Sequence, residues 1–320
     1  MKEKYDLKEI AAILNRSSQY RVIEKYQRPT HYNTGNPTSP IFTGVFLDIE
    51  ATGLSYSTDK IIELGMVKFE YTEDGKIFHL LEDFNQYQDP QVPISEFISR
   101  LTGITNDTVK GHNIDETELA TYLQDVDLII AHNAQFDRTF FEKTFPSIPP
   151  KAWSCTMFDV QWNQEGISSY KLEYIAYKYN FFYEGHRAVI DCLAGIHILA
   201  QELPCSQELV LKQLLTNALK LRFKLWAVGA HYNCKDLLRE RGYRWENHQT
   251  NDYKAWSIEV IEENVAEEIN YLRSTIYRSS INIPIEVFDA YSRFSYNPQY
   301  LKNDIKYQDK ISWAKRLCSQ

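Results

Sequence analysis

Two carboxylates inside an otherwise apolar strand constrain this chain more than any other feature. The stretch Val45-Phe46-Leu47-Asp48-Ile49-Glu50-Ala51-Thr52-Gly53-Leu54 opens with apolar and β-branched residues, the pattern of a buried strand. Asp48 and Glu50 are two positions apart, so on a strand they project from one face. In a core, such a pair repels and loses hydration, and nothing in the strand itself stabilises it. A hard divalent cation such as Mg²⁺ or Mn²⁺ does, by taking oxygen ligands and neutralising the pair. Ala51-Thr52-Gly53 then turns the chain, and Gly53 admits close approach of a backbone or a substrate. Taken alone, the pattern also fits a strand end whose acids reach solvent, so other segments must decide.

Downstream, Lys60 to Tyr71 continues as a strand, and Asp74-Gly75 signals a hairpin before a strand over Ile77 to Phe84. Ile94 to Arg100 and Glu116 to Leu123 read as helices, with a turn over Leu101 to Thr105 between them. Asp127 to Ala131 is a short buried strand, followed by His132-Asn133 and a helix over Ala134 to Phe145 with Asn133 as its N-cap. Phe136, Phe140 and Phe141 give this helix an apolar face, and Asp137 borders it; alone, an acid in a first turn is explained by the helix dipole. Leu172 to Tyr179 is a further helix, and Gly185-His186-Arg187-Ala188-Val189-Ile190-Asp191 leads into another over Cys192 to Leu203. His186 and Asp191 are five apart, about 140° around a continuous helix, so both cannot face one site if both are helical. His186 is therefore expected on the loop at Gly185, with Asp191 pointing from the helix. By itself His186 fits a surface or capping histidine.

At 320 residues the chain is long for one domain. Residues 1–43 read as a helical appendage and linker, with a helix over Leu7 to Leu14, a short element over Tyr20 to Tyr26 and turn residues from Arg28 to Pro40. A net charge of −8 argues against binding nucleic acid over the whole surface but permits a local basic groove. Five scattered cysteines without C-x-x-C spacing suit reduced thiols, not a disulfide framework or a zinc site. Met1 to Asp6 carries no apolar signal core and no segment reaches the length of a membrane span, so a cytoplasmic location away from membranes is expected.

The pieces share a pattern: D-x-E on a strand, Gly103-Ile104-Thr105, His132-Asn133-Ala134-Gln135-Phe136-Asp137, and H-x-x-x-x-D from His186 to Asp191. In this order the chain resembles the DnaQ-like, or DEDDh, family of 3′-to-5′ exonucleases over about residues 44–203. Ala51 stands where threonine is usual. The resemblance implies an α/β, ribonuclease H-like domain with a mixed central sheet flanked by helices. It also implies hydrolysis of phosphodiester bonds at a 3′ end by two divalent ions, Mg²⁺ or Mn²⁺. Under it, Asp48 bridges the ions, Glu50 and Asp191 hold the ion carrying the attacking water, Asp137 serves the second ion, and His186 is the general base. Ala51, Thr52, Gly53 and Leu54, with Ile104, Thr105 and Asn133, match positions that hold the terminal nucleotide. The implied partner is a single-stranded DNA 3′ end, with a DNA polymerase as a further candidate. RNA trimming on the same fold, or a non-catalytic nucleic-acid-binding or polymerase-accessory role, are the alternatives; the complete set of acids and His186 count against the last.

Residues 204–320 read as a small α+β module. Lys220, Arg222 and Lys224 alternate with Leu221, Phe223 and Leu225, the pattern of a strand with one basic face. Asn233 is expected to cap a helix running to Arg241. A hairpin is expected around Asn247 to Asp252, and a helix over Glu262 to Ile276. Residues 220–254 carry a net +4, which leaves the remainder at −12, an asymmetry that suggests a nucleic-acid surface with Tyr243, Trp245 and Trp256 for stacking. The competing expectation is that these aromatics form a core. The segments from Lys235 to Trp245 and Lys254 to Ser257 resemble modules appended to exonuclease X-like proteins.

Overall fold

The computed structural model describes residues 6–34, 37, 39–247 and 254–296. Helix α1 (Leu7–Asn15) starts at Asp6, whose carboxylate accepts the Lys8 and Glu9 N–H groups. After the short strand β1 (Glu24–Lys25), the chain enters a five-stranded mixed sheet. Strands β2 (Ile41–Ala51), β3 (Ile61–Thr72) and β4 (Ile77–Tyr87) form an antiparallel meander. The expected Asp74-Gly75 turn joins the last two, with Gly75 at φ 85°, a conformation glycine adopts freely. Helices α2 (Glu96–Thr102), α3 (Asn106–Val109) and α4 (Glu116–Tyr122) lead to β5 (Leu128–Ala131), which is parallel to β2. Then α5 (Ala134–Thr144) connects to β6 (Ala152–Cys155), giving the order β4-β3-β2-β5-β6. The run continues as α6 (Thr156–Asp159), α7 (Leu172–Lys178), β7 (Phe181–Phe182), α8 (Ala188–Leu199) and α9 (Val210–Ala218).

Strand β2 sits at the centre of this sheet, and its alternation divides two cores. Phe46 packs with Cys192 and Ile196 of α8 on one side, while Val45, Leu47 and Ile49 pack with Phe140 and Phe141 of α5 on the other. A strand covered on both faces needs an apolar run, which Val45 to Leu47 supplies. The helix expected over Cys192 to Leu203 lies four residues earlier, so Asp191 belongs to its first turn. Residues 204–218, expected in the C-terminal module, pack instead with the exonuclease-like core. Leu203, Val210, Leu211, Leu214 and Leu215 share a cluster with Trp162 and Ile196, because the apolar stripe of α9 needs a partner surface.

The C-terminal module follows as β8 (Arg222–Ala227), α10 (Lys235–Glu240), β9 (Arg244–Asn247), β10 (Lys254–Ile261), α11 (Glu262–Tyr271) with a wider π turn over Leu272–Tyr277, and β11 (Ile285–Phe288). The four strands form an antiparallel sheet in the order β11-β8-β10-β9. The tip of the expected hairpin lies outside the described residues. Asn233 caps no helix; it sits in a 3₁₀ turn where His231 accepts its N–H. The alternation of β8 is present, with Phe223, Leu225 and Ala227 against the module's own core. Its basic face, however, is not a solvent face. Arg222 (21% exposed) approaches Asp159 at 3.9 Å, and Lys224 (17% exposed) pairs with Glu246 at 2.5 Å.

After β11 the chain returns to the first sheet. Ala290 accepts the Trp153 N–H at 2.8 Å, which covers part of the open edge of β6. The fully buried guanidinium of Arg138 donates to the carbonyls of Tyr291 and Arg293 at 2.5 and 2.7 Å, and Arg293 pairs with buried Asp159 at 2.7 Å.

Candidate active site

The register of β2 against β3 places Asp48 opposite Gly65 and Glu50 opposite Glu63. A side chain at position 65 would meet the Ala188 side chain at 2.5 Å and the Val189 nitrogen at 2.6 Å. Glycine there lets the first turn of α8 lie directly on the sheet beside Asp48. As a result Asp48, Glu50 and Asp191 each present a carboxylate oxygen within 4.8 Å of the others. Asp191 is oriented by the Arg187 N–H, which donates to it at 3.1 Å. Asp137 is buried in the first turn of α5 and accepts the Ile49 N–H at 3.2 Å, so it meets β2 between the other two acids of that strand.

Crowding four acids away from water raises their proton affinity. Burial, followed by repulsion from Asp191, Asp137, Glu50 and Glu63, holds Asp48 well above the usual carboxylate range. Burial and then Asp191 push Glu50 up to about 8. Burial takes Asp137 to about 8 against the opposing pull of the backbone N–H groups of Asp137 and Ile49. Asp191 rises only to about 6, because the Arg187 N–H, Tyr183 and His186 favour its charged form. Repelling carboxylates of this kind are the donor set that hard divalent cations take, so the residues fit a divalent metal centre.

His186 lies on the loop before α8, at φ 65°. Its ring is nearly half exposed, with Nε2 3.7 Å from Glu173 Oε1. Thr52, Gly53 and Leu54 follow the end of β2 at Ala51 and are organised by Asp59. The Asp59 carboxylate accepts the Ser55 N–H at 2.8 Å and the Thr52 hydroxyl at 3.3 Å, and it occupies the space a side chain on Gly53 would need. Leu54 is 88% exposed. Ile104 is not; it is buried with Ile62, Ile94 and Val109 in a separate small cluster and offers a nucleotide little surface. Thr105 is exposed and caps α3 through a reciprocal pair of hydrogen bonds with Thr108. Asn133 occupies the N-cap position of α5 but makes no side-chain cap hydrogen bond, since its backbone (φ −124°, ψ 71°) is not in the usual capping conformation.

Some contributors are not evident from the sequence. Glu63 is fully buried, accepts the Arg187 guanidinium at 3.1 Å and the Ala188 N–H at 3.2 Å, and so anchors the start of α8. Arg187 also donates to the Tyr87 hydroxyl at 2.7 Å. Burial and the neighbouring charge of Asp191 push the Tyr183 phenol up. A glutamate within Lys60 to Tyr71 is the available signal for Glu63, but only the register with β2 gives it meaning.

The mixed five-stranded sheet with its flanking helices is an α/β, ribonuclease H-like fold, and the acidic centre lies on its central strand β2. The RNase T family model, described as an exonuclease, matches residues 45–199. These residues belong to the DEDDh, DnaQ-like family of 3′-to-5′ exonuclease domains, whose members use divalent metals. The chain is 32% identical over 177 residues to the DNA polymerase III PolC-type of Caldanaerobacter subterraneus subsp. tengcongensis, covering 52% of this chain and 12% of that one. It is 34% identical over 161 residues to the corresponding polymerase of Clostridium perfringens, covering 48% and 11%. The chain thus spans about an eighth of the length of these relatives. Among solved structures it is similar to exonuclease X in complex with 5′ overhanging duplex DNA, at 23% identity and TM-score 0.36 over 48% of this chain and 86% of that one. Among the described residues, no helix is long and apolar enough to cross a membrane.

Proposed function

We propose that this protein is a metal-dependent 3′-to-5′ exodeoxyribonuclease that releases nucleoside monophosphates, acting in proofreading or repair. The convergence of Asp48, Glu50 and Asp191 within 4.8 Å, beside buried Asp137, is the observation that carries the reading. Asp48, Glu50 and Asp191, with Asp137 beside them, would hold the divalent metal. Mg²⁺ or Mn²⁺ bound there would supply charge stabilisation for displacement at a phosphodiester. His186, on its exposed loop, takes the proton from the attacking water. The Ala51 to Leu54 turn lies along the terminal nucleotide, with Leu54 against its base and Thr105 and Asn133 as polar contacts. Ile104, buried with Ile62, Ile94 and Val109, contributes by packing and not by direct contact. The choice of DNA follows the polymerase relatives, which carry the matching segment within a DNA polymerase.

The test is an end-labelled panel of single-stranded DNA, duplex DNA, mismatched duplex, circular single-stranded DNA and RNA, with Mg²⁺ or Mn²⁺. Mononucleotides released from DNA 3′ ends, with circles resistant, are expected. Rapid cleavage of circles would make it an endonuclease, and preference for RNA would make it a trimming exoribonuclease.

A further inference from the structure

The charge excess of the C-terminal module is not where β8 places it, since Arg222 and Lys224 are enclosed and paired. It reaches solvent on another face, in a row where two cations lie between aromatic side chains. Tyr232 is 73% exposed, and the Lys235 ammonium lies 4.3 Å from the centre of its ring and donates to its hydroxyl at 2.8 Å. Arg239 is four residues after Lys235 on α10 and so shares its face. The Arg239 guanidinium lies 5.9 Å from the Trp256 ring, and Trp256 meets Trp245 edge to face at 5.7 Å. Trp245 is 57% exposed, whereas Tyr243, two residues earlier on the chain, is buried in the module core. Arg244 and Lys254 add exposed positive charge on the adjoining strands; Asp236, 3.4 Å from Arg239, is an opposing charge in the row.

We propose that this row, Tyr232-Lys235-Arg239-Trp256-Trp245, is a binding surface for single-stranded DNA outside the catalytic centre. The exposed rings at the two ends, Tyr232 and Trp245, suit unpaired bases, which stack on aromatics regardless of sequence; the cations between them suit the phosphates, and Trp256, partly buried against the module core, backs Trp245. Folded proteins rarely leave a tryptophan more than half exposed without a partner for it, and the negative charge of the rest of the chain makes a further acidic surface a poor one. Duplex DNA is a weaker match because its bases are already stacked. The proposal deepens the exonuclease reading by giving the strand a second point of attachment.

The test uses the full chain carrying Asp48→Asn, so that strands survive, and measures anisotropy of labelled dT6, dT30 and an abasic 30-mer at two salt concentrations. Trp245→Ala and Tyr232→Ala should each weaken dT30 binding about tenfold and leave dT6 and the abasic strand unchanged. Lys235→Gln and Arg239→Gln should each flatten the salt slope for dT30 by about 0.7. If Trp245→Ala lowers the melting temperature, Tyr232→Ala, whose ring touches only the Lys235 side chain among the contacts described above, carries the test. Parental affinities and slopes for dT30 in all four variants would overturn the proposal, and are what a protein or duplex occupant would produce. Failure of the unsubstituted chain to release nucleotides would instead count against the exonuclease reading, because the binding measurement does not depend on turnover.

Discussion

At the scale of single residues, the acidic centre makes stability and activity pull in opposite directions. Glu50 and Asp137 hold their protons up to about pH 8 and Asp191 to about 6, against about 4 in an unfolded chain. A folded-state pKa above the unfolded one contributes stability that is complete below about pH 4 and is lost as pH rises through the folded values. In chelator, the melting temperature should therefore fall between about pH 5 and 8, and Mg²⁺ or Mn²⁺ should restore it most at the upper end. Asp48→Asn should abolish turnover yet melt higher than the parent at pH 8 in chelator. Calorimetry across that range checks both, and a parent whose melting point rises with pH in chelator would refute the account. His186 is exposed and outside the carboxylate cluster, so His186→Ala should keep metal affinity while slowing hydrolysis about 10²–10⁴-fold. Single-turnover rates alongside metal titrations separate the two effects.

At the scale of elements, the site depends on how closely α8 approaches β3. Gly65→Ala would place a methyl group against the backbone of Val189, so α8 must shift and carry Asp191 with it. The expected outcome is a loss of ~1–3 kcal/mol of stability, with a larger proportional loss of activity and of metal affinity. Urea unfolding and metal titration of the same variant check this. The elements themselves were largely legible. Apolar runs and spacing are local, so β2, β5 and α5 follow from the residues that compose them, as does the placement of His186 on a loop; the start of α8 at Ala188 rather than Cys192 does not, because Glu63 takes the Ala188 N–H and Gly65 makes room for that turn. Glu63, Asp59 and Gly65 were not legible as parts of the site, because their roles come from partners set by register and packing rather than by neighbours along the chain. The basic face of β8 illustrates the same limit. Alternation separates two faces of a strand, but which one meets water depends on what packs there.

At the scale of the whole molecule, Arg222 joins the C-terminal module to Asp159 of the nuclease domain, while Lys224 and Glu246 join β8 to β9 within the module. Replacing Arg222 and Lys224 by glutamate would set each new acid beside Asp159 or Glu246. The double variant should lose more than about 1 kcal/mol of stability while leaving the salt slope for DNA binding unchanged, the reverse of what substitutions in the exposed row should do. The return segment is the stronger fastening. Arg138→Ala leaves buried carbonyls and Glu142 without their guanidinium, and should cost ~3–5 kcal/mol. Because α5 also carries Asp137, nuclease activity should fall with it; denaturant midpoints and rates measured on one preparation check the pairing.

That fastening also orders events in time. The Arg138 guanidinium and the carbonyl of Ala290 that lies beside it are separated by 152 positions along the chain. A ribosome adding about 5–20 residues per second needs roughly 8–30 s to travel from one to the other. At the start of that interval Asp48, Glu50 and Asp137 exist and Asp191 joins them partway, while throughout it the helix bearing Asp137 lacks the carbonyls that enclose its arginine. The wall around Asp137 is therefore closed by a segment made long after the wall itself, so enclosure of α5 is a late event relative to synthesis of the acid it carries.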